Sequence, residues 1–143
     1  MPYEVLEDAP TSDVGFRAWG VSIDECFQAA AEATLAVMLE NPTVLQRPQR
    51  RSIHLEAETL DLALLGLLQE IIFFKDAESL FVAPIELHVR QREAGWQVDA
   101  TLGGELIDPK RHLLSGDVKA VTMHRFGVEK TGGGWEATVV LDV

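Results

Sequence analysis

Residues 13–40 read DVGFRAWGVSIDECFQAAAEATLAVMLE, and they contain the clearest structural signals in the chain. Positions 14, 16 and 18 are apolar and alternate with other residues, which is typical of a half-buried strand over 14–19. Ser22 and Glu25 then form a capping box, in which each side chain can bond the other residue's backbone N–H. Apolar residues recur along one helical face from Ile23 to Met38, so a helix is predicted from Ser22 to about Glu40.

The rest of the chain repeats these two patterns. A second helix over 60–74 is apolar nearly all round, which predicts that it is the most buried element. Alternating residues predict further strands over 3–6, 50–58, 83–92 and 96–102, a loop over 103–116, and a final hairpin of 117–130 and 135–143. Strands adjacent in sequence favour antiparallel pairing. The predicted fold is therefore α+β, a mixed but mainly antiparallel sheet packed against two helices in a single domain over 1–143.

Composition limits the function classes. The 143 residues carry 12 Lys and Arg against 23 Asp and Glu, a net charge of −11. A chain this acidic repels phosphate backbones and anionic membranes, so neither direct nucleic-acid binding nor membrane binding is expected. The N-terminus has no signal-peptide pattern, and the apolar stretch over 60–74 is too short to span a bilayer. A cytoplasmic protein is predicted.

Cys26 is the single cysteine, so no internal disulfide can form. Its place just inside a helix N-terminus would favour a reactive thiolate. The competing interpretation, a small core residue beside Phe27, is favoured.

Acids near the two chain ends form a candidate cation site. Asp13 opens the second strand, while Asp142 and the terminal carboxylate of Val143 end the last one. Hard cations prefer several oxygen ligands at one point. If the first and last strands are neighbours, Asp13 and Asp142 could share a cation. Solvation of each acid by itself is the competing interpretation.

Lys119 lies in an otherwise apolar segment over 118–124 and must pair with an acid or reach water. A four-residue hairpin loop over 131–134 predicts Met123 opposite Asp142. In that register Lys119 shares their face, roughly 13 Å further along the strand.

In order along the chain, four segments resemble the archease family. They are Thr11-Ser12-Asp13-Val14-Gly15 with the capped helix that follows, similar to the family's H-T-A-D-[VI]-G opening; Leu64-Leu65-Gly66-Leu67-Leu68-Gln69-Glu70, similar to L-L-x-W-L-N-E; Gly104-Glu105 with Asp108 and His112, similar to G-E-x-x-D-x-x-x-H; and Val118 to His124 with Asp142-Val143, similar to K-A-x-T-[YF]-H and the final D-[IV]. The first segment departs from the pattern, because the loop before Asp13 is two residues longer and Pro10 replaces the histidine.

The resemblance implies an auxiliary protein rather than an enzyme. Archeases assist the RtcB-type tRNA-splicing RNA ligase by promoting formation of the ligase–GMP intermediate and multiple turnover, and they carry an acidic metal-binding tip. By motif position, Asp13, Lys119 and Asp142 inherit the functional positions. Asp13, Asp142 and Val143 inherit the contacts to a divalent cation, calcium or magnesium.

Two alternatives come from other classes. One is a metal-dependent enzyme that uses Asp13, Asp142 and Lys119, against which the sequence lacks a catalytic histidine beside these acids and a second convergent site. The other is a chaperone or adaptor that binds no metal.

Overall fold

In a computed structural model of the chain, residues 2–6 and 13–143 are described. They form two helices and seven strands, with a short 3₁₀ turn at Pro42–Val44. In chain order the elements are β1 Tyr3–Leu6, β2 Asp13–Gly20, α1 Ile23–Met38, β3 Gln49–Ala57, α2 Leu60–Glu78, β4 Leu80–Arg92, β5 Gly95–Leu106, β6 Ala120–Thr131 and β7 Gly134–Asp142.

The strands confirm the α+β class but divide into two sheets rather than one. A four-stranded sheet has the order β1-β2-β7-β6, and a three-stranded sheet has the order β3-β5-β4. Every pairing between the described strands is antiparallel. The division follows from connectivity, because β2 pairs with the last strand of the chain and not with its sequence neighbour β3.

Helix α1 begins where the capping box predicts. The Ser22 hydroxyl accepts from the Glu25 N–H at 3.1 Å, and the Glu25 carboxylate accepts from the Val21 N–H at 3.0 Å. The helix ends at Met38, two residues earlier than predicted, because Leu39 is already extended. Leu39 instead pairs with Leu114 in an isolated bridge. The C-terminal end of α1 is therefore fastened to the segment that precedes β6.

Helix α2 extends four residues beyond the predicted end at residue 74. The added turn is polar, and its pattern therefore indicated a stop. Lys75 in this turn is nevertheless buried, with its ammonium group bonded to the chain at Asp117 and Val118. Ser79 ends the helix in the left-handed conformation, with φ of 53°.

The predicted loop over 103–116 is wrong in its first part, because β5 continues to Leu106. Gly103 and Gly104 are buried in this extension. A β-carbon on Gly104 would overlap the carbonyl oxygen of Phe81 on the neighbouring strand. Two consecutive glycines weaken a strand signal in sequence, but here they allow the backbones of β4 and β5 to approach closely.

Each helix contacts strands of both sheets, and the two helices contact each other. The core thus lies where helices and sheets meet, with Phe16, Phe27, Leu64 and Leu141 fully buried. Neither helix in residues 2–6 and 13–143 is both long and apolar enough to cross a membrane.

The first turn of each helix also bonds an edge strand. Asp24 accepts from the Val89 N–H of β4 at 2.8 Å, and Asp61 accepts from the Val128 N–H of β6 at 2.8 Å. Edge strands leave backbone groups unpaired, so these two aspartates satisfy donors that the sheets do not.

Candidate functional site

Strands β2 and β7 bring Asp13 and Asp142 together, although the two residues are far apart in sequence. The strands pair over their whole length, from Asp13 opposite Asp142 to Gly20 opposite Trp135. The sequence left open whether the first and last strands are neighbours: β1 does not pair with β7, but β2, which begins at Asp13, does. Asp13 and Asp142 form the final pair of this ladder.

Directly opposite residues in antiparallel strands project from the same face of the sheet. Phe16, Ala18 and Val139 lie on the face that is buried in the core. Asp13 has the alternate parity and therefore shares the opposite face with Arg17, which forms ion pairs with Glu4 and Glu136 on that face. Asp13 and Asp142 are both half-buried. Like charges placed directly opposite each other destabilise a sheet.

Lys119 lies beside Asp13 and Asp142, and not roughly 13 Å away along the strand as the predicted register implied. Its backbone N–H donates to the carbonyl oxygen of Asp142 at 2.8 Å, and the next residue, Ala120, is the strand partner of Asp142. The prediction that Met123 opposes Asp142 was wrong. We call Asp13, Asp142 and Lys119 together the acidic tip.

A bulge in β6 explains the error. From the turn at residues 132–133, the β6–β7 register is the predicted one as far as Gly127 opposite Thr138. Four residues, 123–126, then face only Val139 before pairing resumes at Thr122 opposite Val140. The three extra residues include Arg125 in the left-handed region, with φ of 55°. They move the start of β6 along β7 and carry Lys119 to the acidic tip.

The Lys119 side chain is exposed. Within the described part of the chain, no carboxylate forms an ion pair with it. Of the two outcomes that the sequence allowed, an acidic partner or contact with water, the structure shows the second, since Lys119 precedes β6 and its side chain reaches water.

The acidic tip by itself is a sparse ligand set. Among residues 2–6 and 13–143, no group of three or more His, Cys, Asp or Glu side chains is arranged to hold a metal ion. Val143, the third predicted ligand, packs in part against the core. Two further acids precede Asp13 in the sequence, Glu7 and Asp8, and they lie outside the described residues.

The third sequence motif forms a hydrogen-bonded cluster around Glu105 and His112, which we call the latch. It is not part of the acidic tip. One oxygen of Glu105 accepts from the His112 ring at 2.9 Å, from Arg111 at 2.6 Å and from the Gln46 N–H at 3.1 Å. The other His112 nitrogen, Nδ1, accepts from the Asp108 N–H at 2.8 Å. The ring proton therefore resides on Nε2, and the buried imidazole joins the two ends of the 105–112 segment.

Burial by itself would raise the pKa of Glu105. The hydrogen bonds from His112, Arg111 and Gln46 outweigh it, so the pKa lies below its ordinary value. Glu105 is therefore a carboxylate at neutral pH and holds the 42–47 turn against the segment after β5.

Lys75 was missed by the sequence analysis. Its side chain is only 8% exposed, and its ammonium group bonds Asp117, the Val118 carbonyl oxygen at 2.7 Å and Asp76 at 2.7 Å. Val118 is fully buried and immediately precedes Lys119. The available signal was a single cation directly after the apolar run from Ile71 to Phe74.

Cys26 is a core residue, as the favoured interpretation predicted. The thiol is fully buried and lies 3.8 Å from the Ala18 carbonyl oxygen. Burial, with a smaller effect from the charge of Glu136, raises its pKa to about 11. A thiol in that state is a poor nucleophile at neutral pH.

The fold and the tip thus define an α+β protein in which two helices pack against two antiparallel sheets, with Asp13 and Asp142 at one end of the β2–β7 ladder. Residues 3–143 match the Archease protein family (MTH1598/TM1083). The chain belongs to the archease family.

Individual members of the family align with this chain over nearly its full length. Protein archease of Pyrococcus abyssi is 33% identical over 134 residues, which cover 93% of this chain and 94% of that protein. Protein archease of Methanopyrus kandleri is 33% identical over 145 residues, with 100% of both chains covered.

Two solved structures share the fold. The solution structure of Methanobacterium thermoautotrophicum protein 1598 has a TM-score of 0.84 and 28% identity, with 99% of each chain covered. An archease from Thermotoga maritima, described as a possible chaperone, has a TM-score of 0.64 and 16% identity over 94% of this chain and 93% of that one. The latter likeness concerns the fold alone.

Proposed function

We propose that this chain is a cytoplasmic protein cofactor, not an enzyme, that activates an RtcB-type RNA ligase in tRNA splicing. In this role it promotes formation of the ligase–GMP intermediate and multiple turnover. The observation that carries the proposal is the register of the acidic tip, in which Asp13 faces Asp142 and Lys119 is bonded to the Asp142 backbone. These are the three positions that the family resemblance marks as functional.

The donor chemistry of the tip fits a hard divalent cation. Asp13 and Asp142 offer only oxygen atoms, which calcium and magnesium prefer, and the opposed carboxylates repel each other when nothing lies between them. Asp13 and Asp142 would hold the ion, with Val143 as a third oxygen donor. When bound, the cation would supply a Lewis acid close to phosphate oxygens.

The chain's own charges support a docking role. The net charge of −11 complements a basic RNA-binding partner and speeds its encounter with this protein. The exposed ammonium of Lys119 adds a positive charge inside this acidic surface. We expect it to contact a phosphate or a carboxylate of the ligase complex, because no described residue neutralises it.

The test measures guanylylation of the ligase and multiple-turnover joining of RNA ends, with and without this protein. Wild type is compared with Asp13→Asn, Asp142→Asn and Lys119→Met. Glu93→Gln is the matched control, because it removes one exposed charge from the β4–β5 turn. The proposal predicts that the three tip variants lose stimulation and the control keeps it. Absence of stimulation by the folded wild-type protein at stoichiometric amounts would overturn it.

Two further measurements separate the alternatives. If the wild-type protein binds neither calcium nor magnesium but still stimulates the ligase, a metal-free chaperone or adaptor is favoured. RNA joining or phosphate transfer by this protein without the ligase would favour a metal-dependent enzyme.

A further inference from the structure

We propose that Lys75 is a positioning residue for the acidic tip, and that it fixes the backbone of Lys119 against Asp142. The inference rests on the proposed function only in its last step, where the position of Lys119 affects the ligase. Its structural step concerns this chain alone.

Thirteen residues, 107–119, join β5 to β6 without helix or strand. The first part is fastened by backbone bonds, from the Ile107 N–H to Ser79, and between Glu40 and Leu113. Ser115 bonds the end of α1 through its N–H and its hydroxyl. The last part, which places Lys119, is held by a side chain from α2.

Lys75 uses the full donor capacity of its ammonium group on this task. The three N–H donors meet three acceptors: Asp117, the Val118 carbonyl and Asp76. Two of these acceptors belong to the segment directly before Lys119. The third lies on α2 and so holds the ammonium without touching that segment.

Loss of the bond from the Lys75 ammonium to the Val118 carbonyl oxygen would cost free energy. Burial by itself would lower the pKa of Lys75, but hydrogen bonds to Asp117 and Asp76 raise it above its ordinary value, so the side chain stays charged. A buried carbonyl that loses a charged donor has no water to replace it, which makes the loss costly. Val118 is also fully buried in the core, so this residue is held both by its packing and by the bond from Lys75 to its carbonyl oxygen.

The N–H of the next residue is the one that binds Asp142. A displacement of the backbone at Val118 therefore also displaces the Lys119 N–H that donates to Asp142. Lys75 thus acts through Lys119, with no contact of its own to a ligand.

Asp117 and Asp76 supply a matched pair of variants. Both are exposed aspartates bonded to the same ammonium group, but only Asp117 lies in the segment before Lys119. The experiment compares Lys75→Met, Lys75→Arg, Asp117→Asn and Asp76→Asn. Its first readout is hydrogen exchange of the Lys119 amide, resolved by NMR, with core amides of α2 as internal reference.

The expected result is exchange at Lys119 that is about tenfold faster or more in Lys75→Met and Asp117→Asn, with the α2 reference unchanged. Asp76→Asn is expected to leave exchange at Lys119 within about twofold of wild type, and Lys75→Arg to restore most of the protection. Equal protection in folded Lys75→Met would overturn the inference, as would equal effects of Asp117→Asn and Asp76→Asn. If Lys75→Met does not fold, the two aspartate variants decide.

Ligase stimulation is the second readout and separates this inference from the proposed function. Half-maximal stimulation by Asp117→Asn should require more protein, while Asp76→Asn matches wild type. If wild type itself gives no stimulation, the proposed function fails, and the exchange data still decide whether Lys75 positions Lys119. If the exchange data agree but stimulation by Asp117→Asn is unchanged, the last step of the inference is wrong.

Discussion

Asp13 and Asp142 lie directly opposite each other at the last pair of the β2–β7 ladder, 129 positions apart in sequence. Side chains on such a pair are close enough for their charges to interact, and two carboxylates there oppose pairing of the strands. The chain therefore accepts a local cost at this end of the ladder. This cost can be relieved in two ways, by removing one of the charges or by binding a cation between them. Calcium should therefore stabilise the wild-type protein but not a variant that lacks one of the two carboxylates.

We predict that Asp13→Asn and Asp142→Asn each raise the free energy of unfolding by about 0.2–1 kcal/mol in EDTA, because the repulsion disappears. In excess calcium or magnesium the order reverses, since only wild type gains stability from a bound ion. Thermal unfolding with and without the ion measures both effects. Glu93→Gln should respond to calcium as wild type does. Equal calcium responses in wild type and both tip variants would mean that the carboxylates do not bind the ion.

Local patterns along the chain could predict most of the fold. The capping box at Ser22 and the alternation over 14–19 fixed the beginning of α1 and the facing of β2. The division into two sheets could not be predicted, because it depends on which distant strands pair. The ends of α2 and β5 were wrong for a related reason. Lys75 and Gly104 look like breaks in a local pattern, and only their contacts with Val118 and Phe81 justify them.

The sequence could suggest the members of the acidic tip but not its geometry. Asp13 and Asp142 were grouped on the condition that β2 and β7 pair, which they do. Lys119 was placed too far away, because alternation cannot reveal the bulge at residues 123–126, where four residues face one. Neither a proline nor a favourable turn sequence marks it. The role of these residues in metal binding and ligase activation stays a prediction.

Glu105 predicts a specific acid sensitivity. Its pKa is below the ordinary value, so the folded chain binds fewer protons here than the unfolded chain does near that value. The stability that it contributes is present above the ordinary glutamate pKa and is lost as pH falls through the lowered folded pKa. Glu105→Gln should be less stable by about 1–2 kcal/mol at neutral pH, because the bonds to Arg111 and His112 lose their charge. The difference from wild type should shrink on acidification.

Urea unfolding from neutral pH to about pH 3 checks this, since the range spans the ordinary glutamate value. Glu93→Gln should follow the wild-type curve throughout. A constant gap between Glu105→Gln and wild type across the acid range would mean that the latch does not depend on the ionised carboxylate.

Ser79 ends α2 in a conformation that costs an L-residue about 1 kcal/mol or more. Glycine adopts it freely, so we expect Ser79→Gly to raise the free energy of unfolding by about 0.5–1 kcal/mol. Ser52→Gly is a matched control within β3, where the backbone is extended and glycine should instead destabilise by about the same amount. Denaturant unfolding of both variants gives the comparison. The same sign of change at both positions would contradict the conformational explanation.

Cys26 gives a chemical test of how the core closes over the start of α1. Its pKa of about 11 makes the folded thiol roughly 100-fold less ionised near pH 8 than a thiol of ordinary pKa. Burial adds to this, so labelling by a disulfide reagent should be slower in the native protein by more than that factor and should accelerate as denaturant unfolds the chain. The raised pKa of Cys26 also makes the free energy of unfolding depend on pH. The unfolded thiol ionises first as pH rises above its ordinary value, so wild type loses stability there and Cys26→Ala does not. Native labelling at the unfolded rate would instead mean that the helix N-terminus activates the thiol, and that the contact with Ala18 does not close the core.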